Sequence, residues 1–314
     1  CFRRFKVFEE VKEKLKSMGY EINLAGKSDI VVELLKETND KVIIDRILEM
    51  MSLSAVEECK FSKTELKELV ENKYSAGLNK LLCYSFLSKE DIMYYANVLS
   101  GVEDEVLLTC MRDGICNSSL HEKNIVLDAI ILLRTSKESF QREAERNILL
   151  NSLANKENIS FELAKKVMES KEEYKARGIS ELLYDQETLD RNQVLKAADS
   201  INNSKSKRQA LFVQKLSKND YYKSTGLLIP TLRIIDEVKE DYQLDYIKRT
   251  VGTCKEPIIL LPSLKMYTET TSRDECDKLQ NNLSKIKKED IISSLDSELS
   301  LVAATKTKIK EKTI

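Results

Sequence analysis

The chain has 314 residues, nearly equal numbers of basic and acidic side chains (51 and 52), and a formal net charge of -1. This balance excludes a general polyelectrolyte role on nucleic acid or on an anionic membrane, so any basic function must be local. The chain has only 8 glycines, 3 prolines and no tryptophan, and Leu, Lys, Glu and Ile dominate. Because this composition is typical of helices, we predict an all-α protein.

Seven cysteines are scattered along the chain without a CxxC pair, a distribution typical of reduced thiols in a cytosol. No apolar run approaches the roughly 20 residues that a membrane-spanning helix requires. We therefore expect a soluble, cytoplasmic protein. The sequence starts at Cys1, as a processed bacterial lipoprotein also would, but Phe2, Phe5 and Lys12 follow helical spacing, and we favour the start of a helix.

Residues 1–59 predict an N-terminal helical cap. An amphipathic helix extends to about Met18, a break follows over residues 19–26, and further helices start at Ser28 and Asp40. We expect these helices to cover the first hairpin of the next region.

Residues 60–254 carry repeated helix-start signals, in which a small polar cap precedes an acidic residue and an apolar stripe. Capping boxes are predicted at residues 62–65, 88–91 and 119–122. Further starts are predicted at Ser136, Ser160, Ser170, Asp190 and Ser204. Helices of about 10–14 residues are marginal alone, so each must pack on its neighbours. Pairs that start near residues 62, 88, 119, 160, 190 and 218 indicate an irregular repeat of roughly 26 to 40 residues.

The paired, Ser-capped helices at residues 62–82 and 160–183 resemble HEAT, armadillo or leucine-rich-variant repeats. The resemblance covers about residues 60–250. It implies an irregular α-solenoid of stacked helical hairpins, whose inner surface holds a peptide, protein or nucleic-acid partner. A compact multi-helix bundle is the alternative architecture.

Residues 255–314 differ from the middle of the chain. Pro257 and Pro262 predict an interruption of the helical pattern over residues 252–272, either a domain boundary or an apolar plug. Two amphipathic helices are predicted between Leu279 and Val302, as a terminal cap or as a partner-binding or self-associating element. A Lys-rich tail from Thr305 onward should fray.

Three short motifs suggest chemistry but lack the context that it needs. Residues 26–28 match the end of a phosphate-binding P-loop, but Glu21 occupies the first glycine position and a helix precedes it. Cys110, Cys116 and His121 have the wrong spacing for a compact zinc site. His121 also lacks a paired nucleophile. We therefore expect no cofactor, no metal and no enzymatic activity.

The strongest local signal is a basic segment over residues 204–223, which contains one acid, Asp220. On a helical wheel four of its basic residues fall within about 100° of one another. The partner-binding surface predicted from this segment comprises Lys207, Arg208, Lys215, Lys218, Tyr221 and Tyr222. An acidic protein is one candidate partner for this face, and an ordinary solvated helix face is the simpler interpretation of the same residues.

The sequence thus predicts a non-enzymatic scaffold that binds a protein or peptide through a helical-repeat surface. The alternative is nucleic-acid binding through the basic face, where cations would hold phosphates and tyrosines would stack on bases. The sequence leaves the oligomeric state open.

Overall fold

The computed structural model describes residues 2–24, 28–50, 61–71, 81, 86–184, 186–254 and 257–283. All regular structure in these ranges is helical, without a strand, which confirms the all-α prediction. The chain divides into two compact units, residues 1–169 and 170–314. The domain boundaries predicted near residues 60 and 255 stay predictions.

The helices of the first unit are α1 (Phe2–Ser17), α2 (Asp29–Glu37), α3 (Lys41–Met50), α4 (Lys63–Glu71), α5 (Lys89–Ser100), α6 (Glu105–Ile115), α7 (Ser118–Glu122), α8 (Val126–Thr135), α9 (Ser139–Leu149), α10 (Ser152–Lys156) and α11 (Ser160–Met168). Those of the second unit are α12 (Glu173–Ser180), α13 (Arg191–Asn203), α14 (Lys207–Ser217), α15 (Asp220–Ser224), α16 (Leu228–Asp236), α17 (Asp241–Thr253), α18 (Pro257–Glu269) and α19 (Arg273–Leu283), with a 3-10 turn at Glu181–Leu183.

The helix starts follow the predicted caps where a side chain satisfies the first backbone N–H groups. Ser88 Oγ accepts from the Asp91 N–H at 3.1 Å, and the Asp91 carboxylate accepts in return from the Ser88 N–H. Ser62 and Glu65 form the same reciprocal box. Asp190 accepts from the Gln193 N–H at 2.9 Å. These caps fix the starts of α5, α4 and α13.

The predicted capping box at residues 119–122 is wrong. Asn117, two residues earlier, caps the short helix α7, which ends at Glu122. The chain then reverses through Asn124, whose φ is 54°, and α8 begins at Val126 without a side-chain cap. Ser119 therefore lies inside a one-turn helix, because the stronger cap stands directly before it.

The predicted interruption at residues 252–272 is also wrong, because residues 257–269 form α18. Pro257 occupies the first helical position, where a backbone N–H has no intrahelical partner to lose. Pro262 lies inside the helix, where it removes one backbone hydrogen bond. Leu260, Leu264 and Tyr267 are fully buried, and their packing offsets that loss.

Each helix packs on its neighbours along the chain. In the second unit α12, α14, α17 and α19 contact one another in sequence, and so do α13, α16 and α18. In the first unit α6 packs on α8 and α9, and α11 packs on α8 and α9. The helices of the second unit thus form two interleaved rows, and α6, α8, α9 and α11 of the first unit pack in the same way. The arrangement of these rows as a solenoid stays a prediction.

Equivalent side chains recur every 34 residues. A buried serine precedes the long helices α9, α12 and α14, at Ser136, Ser170 and Ser204. The last turns of α8, α11, α13 and α16 each contribute a fully buried apolar side chain, at Leu133, Val167, Ile201 and Ile235. The repeat is therefore regular over this range, although the helix starts along the sequence suggest irregular spacing.

The turns recur with the same period. Asn117, Asn151 and Asn219 cap the one-turn helices α7, α10 and α15. Two residues after the end of each of these helices the chain has a residue with positive φ, at Asn124 (54°), Asn158 (54°) and Gly226 (71°). Because asparagine and glycine adopt this backbone conformation most readily, the turn chemistry of the repeat is visible in the residue types.

In three of the repeats a buried glutamine forms hydrogen bonds with two helices. Gln141, Gln209 and Gln243 each occupy the third position of a long helix, and their side-chain oxygens accept from backbone N–H groups just before it. Their amide nitrogens donate to carbonyls at the end of the following long helix, at 3.0 Å for Met168 and 2.8 Å for Ile235. Each glutamine therefore joins the start of one helix to the end of the next.

Gly226→Ala is expected to lower the free energy of unfolding by about 1–2 kcal/mol, because a Cβ is strained at positive φ. Gly226→Asn should cost less, since Asn124 and Asn158 hold the equivalent positions. Gly101→Ala is the matched control, because Gly101 also has open space at its Cβ but a φ of -96°. Urea unfolding of the three variants measures the differences, and equal effects at the two glycines would contradict the explanation.

A fully buried carboxyl group lies in the core of the first unit. Glu145 on α9 is 0% exposed, and Ser136 Oγ donates to its Oε1. Its Oε2 has no hydrogen-bond partner among the described residues. Burial raises the pKa of Glu145 to about 8, against the smaller lowering effects of the Ser136 hydrogen bond and the Arg142 charge. Apolar Ile179 and Val213 hold the equivalent positions of later repeats.

Candidate functional site

The basic face predicted from the sequence belongs to α14. Ser206 caps this helix, and its Oγ accepts from the Gln209 N–H at 3.2 Å. Ala210, Val213 and Leu216 form the buried face, all at most 3% exposed. The opposite face therefore points to solvent, as the helical wheel predicts.

The structure distributes the predicted surface residues over three environments. Lys207 and Lys215 are exposed, Lys218 is half-buried at the end of α14, and Tyr221 is half-buried. None of these three lysines forms an ion pair with a residue in the described ranges. Their positive charges are thus not neutralised within that part of the chain.

Arg208, by contrast, forms an ion pair with Asp245 of α17, and its Nη1 lies 3.3 Å from Asp245 Oδ2. Two other bases of the segment also serve the fold. Lys205 donates to the Val238 carbonyl at 2.9 Å, and Lys223 pairs with Asp220 at 2.8 Å. Fewer basic residues are therefore available to a partner than the sequence of the segment suggests.

Tyr222 belongs to the core and is removed from the predicted binding surface. Its side chain is 0% exposed, and its hydroxyl donates to the Val251 carbonyl at 3.0 Å. Burial raises its pKa to about 12. Tyr221 packs edge-on against it, with ring centroids 5.5 Å apart. A partner can reach Tyr221 but not Tyr222.

A groove of about 590 Å³ runs between α14 and α17, and the basic face forms one of its walls. Its lining residues are Arg208, Leu211, Phe212, Lys215, Leu216, Asn219, Lys248, Val251 and Gly252. Leu211 is 52% exposed. The groove thus combines an apolar surface with cations, and we refer to it below as the α14–α17 groove.

Lys248 is the cation that α17 contributes. Its Nζ lies 5.3 Å from the centroid of the Phe212 ring, within range of a cation–π interaction. Burial lowers the pKa of Lys248, and the nearby charge of Arg208 lowers it further, while Asp245 acts in the opposite direction. Asp241 also raises the pKa of Lys248, so this lysine lies near one other cation and two carboxylates.

Sequence reasoning missed Leu211, Phe212 and Lys248. Leu211 could have been found, because it stands four residues from both Lys207 and Lys215 and so interrupts the basic face with an apolar side chain. Lys248 could not, because only the packing of α17 on α14 brings it to the groove.

The other candidate residues are not assembled into a reactive site. His121 is half-buried, and its Nε2 lies 2.6 Å from the Ile115 carbonyl oxygen. Cys110 and Cys116 are buried thiols outside any disulfide, and burial raises the pKa of Cys110 to about 12. Among the described residues no three His, Cys, Asp or Glu side chains could share a metal ion. Gly26 and Lys27 of the P-loop-like motif lie outside the described residues.

No family model matches the sequence, and neither a curated protein nor a solved structure matches the chain. In the described ranges, no helix is long and apolar enough to cross a bilayer.

Proposed function

We propose that this chain is a non-enzymatic scaffold that binds a protein or peptide partner on a surface of stacked helical hairpins, arranged as an α-solenoid. Two features of the fold support the proposal. Equivalent helices contact their neighbours in chain order, and their caps and core residues recur every 34 residues. Repeats of this kind bury a continuous core and leave grooves between successive helices as binding surfaces.

The α14–α17 groove is the observation that carries the proposal. A single exposed leucine on a protein surface is ordinary. Here, however, Leu211 lies beside Phe212 and Val251 in a concave site that also holds several cations. Concave sites with an apolar lining and a few charged groups are typical of binding surfaces.

Nucleic-acid binding is the second candidate function, and the unpaired cations favour it. Lys207, Lys215 and Lys218 form no ion pair in the described part of the chain, so they are free to meet phosphates. We also propose a cytoplasmic location, because the described cysteines are thiols rather than disulfides, and thiols persist in a reducing compartment.

Photo-crosslinking tests the scaffold. With p-benzoylphenylalanine at position 211, the tagged chain is expected to yield one dominant crosslinked protein from a nuclease-treated lysate. The reason is that a side chain in the groove contacts the partner directly. The same probe at exposed position 187 is the control for random collisions. Mass spectrometry identifies the product.

Identical crosslinking at positions 211 and 187, with no protein retained by the tagged chain, would contradict the scaffold. The nucleic-acid alternative predicts a salt-sensitive gel shift that Lys207→Glu, Lys215→Glu and Lys218→Glu together abolish. If wild-type protein gives no shift at low salt, that alternative is excluded.

A further inference from the structure

We infer that the α14–α17 groove recognises an acidic peptide segment that carries a bulky apolar side chain. This inference rests on the proposed scaffold function and names the chemistry of its partner. The charge of the groove predicts an acidic partner, and the apolar lining of the groove predicts a bulky apolar side chain on that partner.

The charge of the groove calls for an anionic partner. Arg208, Lys215 and Lys248 are among its lining residues, and the described acids near them are Asp245 and Asp241. Asp245 pairs with Arg208, and Asp241 accepts from Ser206 Oγ at 3.1 Å. Neither Lys215 nor Lys248 forms an ion pair with a described residue, so the three cations exceed the two nearby carboxylates. Carboxylates of a partner would neutralise this surplus positive charge.

The apolar lining calls for a side chain rather than a phosphate backbone alone. Leu211 is half exposed, and Phe212, Leu216 and Val251 continue the surface inward. A groove of about 590 Å³ has room for a leucine or an aromatic ring from a partner. Burial of that side chain against Leu211 would supply the apolar part of the binding free energy.

The aromatic residues of this region disfavour stacking on nucleic-acid bases. The Phe212 ring has Lys248 Nζ at 5.3 Å from its centroid. Tyr222 is buried, and Tyr221 is half-buried with its ring edge-on to Tyr222. Because base recognition by single-strand binders depends on exposed aromatic faces, the groove fits a peptide better than an oligonucleotide.

Gly252 gives a direct way to close the groove. It lies in α17 and lines the groove, and a Cβ built there has no heavy atom within 4 Å. Gly252→Leu therefore adds a side chain at the groove whose Cβ meets no atom of the fold, and it removes an unfavourable helical glycine. Gly101→Leu is the matched control, because Gly101 has the same open space and lies outside the groove.

The test is a fluorescence anisotropy titration of the full chain. The probe is a short fluorescein-labelled peptide with acidic residues on both sides of one phenylalanine. We expect saturable binding to the wild-type chain, weakened about tenfold or more by Gly252→Leu. Replacing the phenylalanine of the probe by serine should weaken binding by a similar factor. Gly101→Leu should leave the affinity unchanged.

Lys215→Glu provides a second route, because Lys215 is exposed and its replacement does not disturb the core. It is expected to weaken the peptide about tenfold and to reduce the salt dependence of binding. Circular dichroism of each variant verifies that it is folded.

The inference is overturned if the wild-type chain does not bind the peptide saturably. It is also overturned if Gly252→Leu binds as well as wild type, or if labelled oligo-dT, but not the peptide, loses affinity in that variant. If Gly252→Leu still crosslinks a partner at position 211 as strongly as the wild-type background, the scaffold proposal survives and the inference about the groove fails. Loss of all partner capture in the wild-type chain would instead defeat the scaffold itself.

Discussion

At neutral pH, Glu145→Gln is expected to raise the free energy of unfolding by roughly 2–4 kcal/mol more than the same substitution does at pH 4. Glutamine resembles the protonated glutamic acid in shape and remains neutral at every pH. It keeps an oxygen that can accept from Ser136 Oγ, as Glu145 Oε1 does. The variant therefore removes only the cost of keeping the carboxyl protonated in the core.

The direction follows from the two pKa values of Glu145. Its pKa rises from an ordinary value of 4.5 to about 8 in the folded chain, chiefly because of burial. Below pH 4.5 the group is protonated in both states and costs nothing. As the pH rises, the unfolded chain ionises first, and the folded state loses stability until the pH passes about 8. The free energy of unfolding of wild-type protein should fall through this range.

Urea unfolding at several pH values between 4 and 8 measures this effect. Glu143→Gln is the matched control, because Glu143 lies on the same helix but is exposed. Parallel pH profiles for wild type and Glu145→Gln would contradict the assignment of Glu145 as a buried carboxyl that stays protonated. The assignment is supported if the free energy of unfolding depends less on pH in Glu145→Gln than in wild type, while Glu143→Gln behaves like wild type.

Tyr222→Ala is expected to lower the free energy of unfolding by about 3–5 kcal/mol, because it empties a fully buried aromatic site. Tyr222→Phe should cost about 1–2 kcal/mol, since it keeps the ring but leaves the Val251 carbonyl without its hydrogen bond. Thermal or urea unfolding of both variants measures the two contributions separately.

Tyr221→Ala is the comparison, because Tyr221 is only half-buried. It should cost much less than Tyr222→Ala. If the two alanine variants are equally destabilised, Tyr222 does not carry the packing between α15 and α17 that its contacts indicate. If both alanine variants instead lose peptide affinity equally and neither loses stability, Tyr222 belongs to the binding surface.

Local chemistry made most helix positions predictable. The capping boxes at Ser62 and Ser88 were identified from four residues each, because a cap depends only on its immediate neighbours. The same reasoning failed at Ser119, where Asn117 competes for the same backbone groups. It failed again at Pro262, because the packing of α18 outweighs a lost hydrogen bond.

The 34-residue period is present in the sequence, but it cannot be recognised when helix starts are used as its markers. Helix starts shift by a few residues with each cap, whereas buried positions cannot shift without loss of packing. Ser136, Ser170 and Ser204 keep the period because all three are buried. The core residues of a repeat are therefore better markers of its length than its caps.

The candidate site was only half predictable. The cations of α14 follow from helical spacing along one segment. The opposite wall of the groove depends on contacts between residues far apart in the sequence, such as Arg208 and Asp245, which are 37 positions apart. No periodicity within one helix reports such a contact, so Lys248 and Gly252 emerged only with the packing of α17 on α14.

The glutamine that joins each long helix to the next is absent from one repeat. At the position equivalent to Gln141 and Gln209, α12 has Lys175, whose Nζ pairs with Glu172 at 2.8 Å. A lysine cannot both accept from the backbone before the helix and donate to the far carbonyl. The start of α12 is thus the weakest junction of the second unit, and amide hydrogens there should exchange with solvent sooner than their counterparts in α9, α14 and α17.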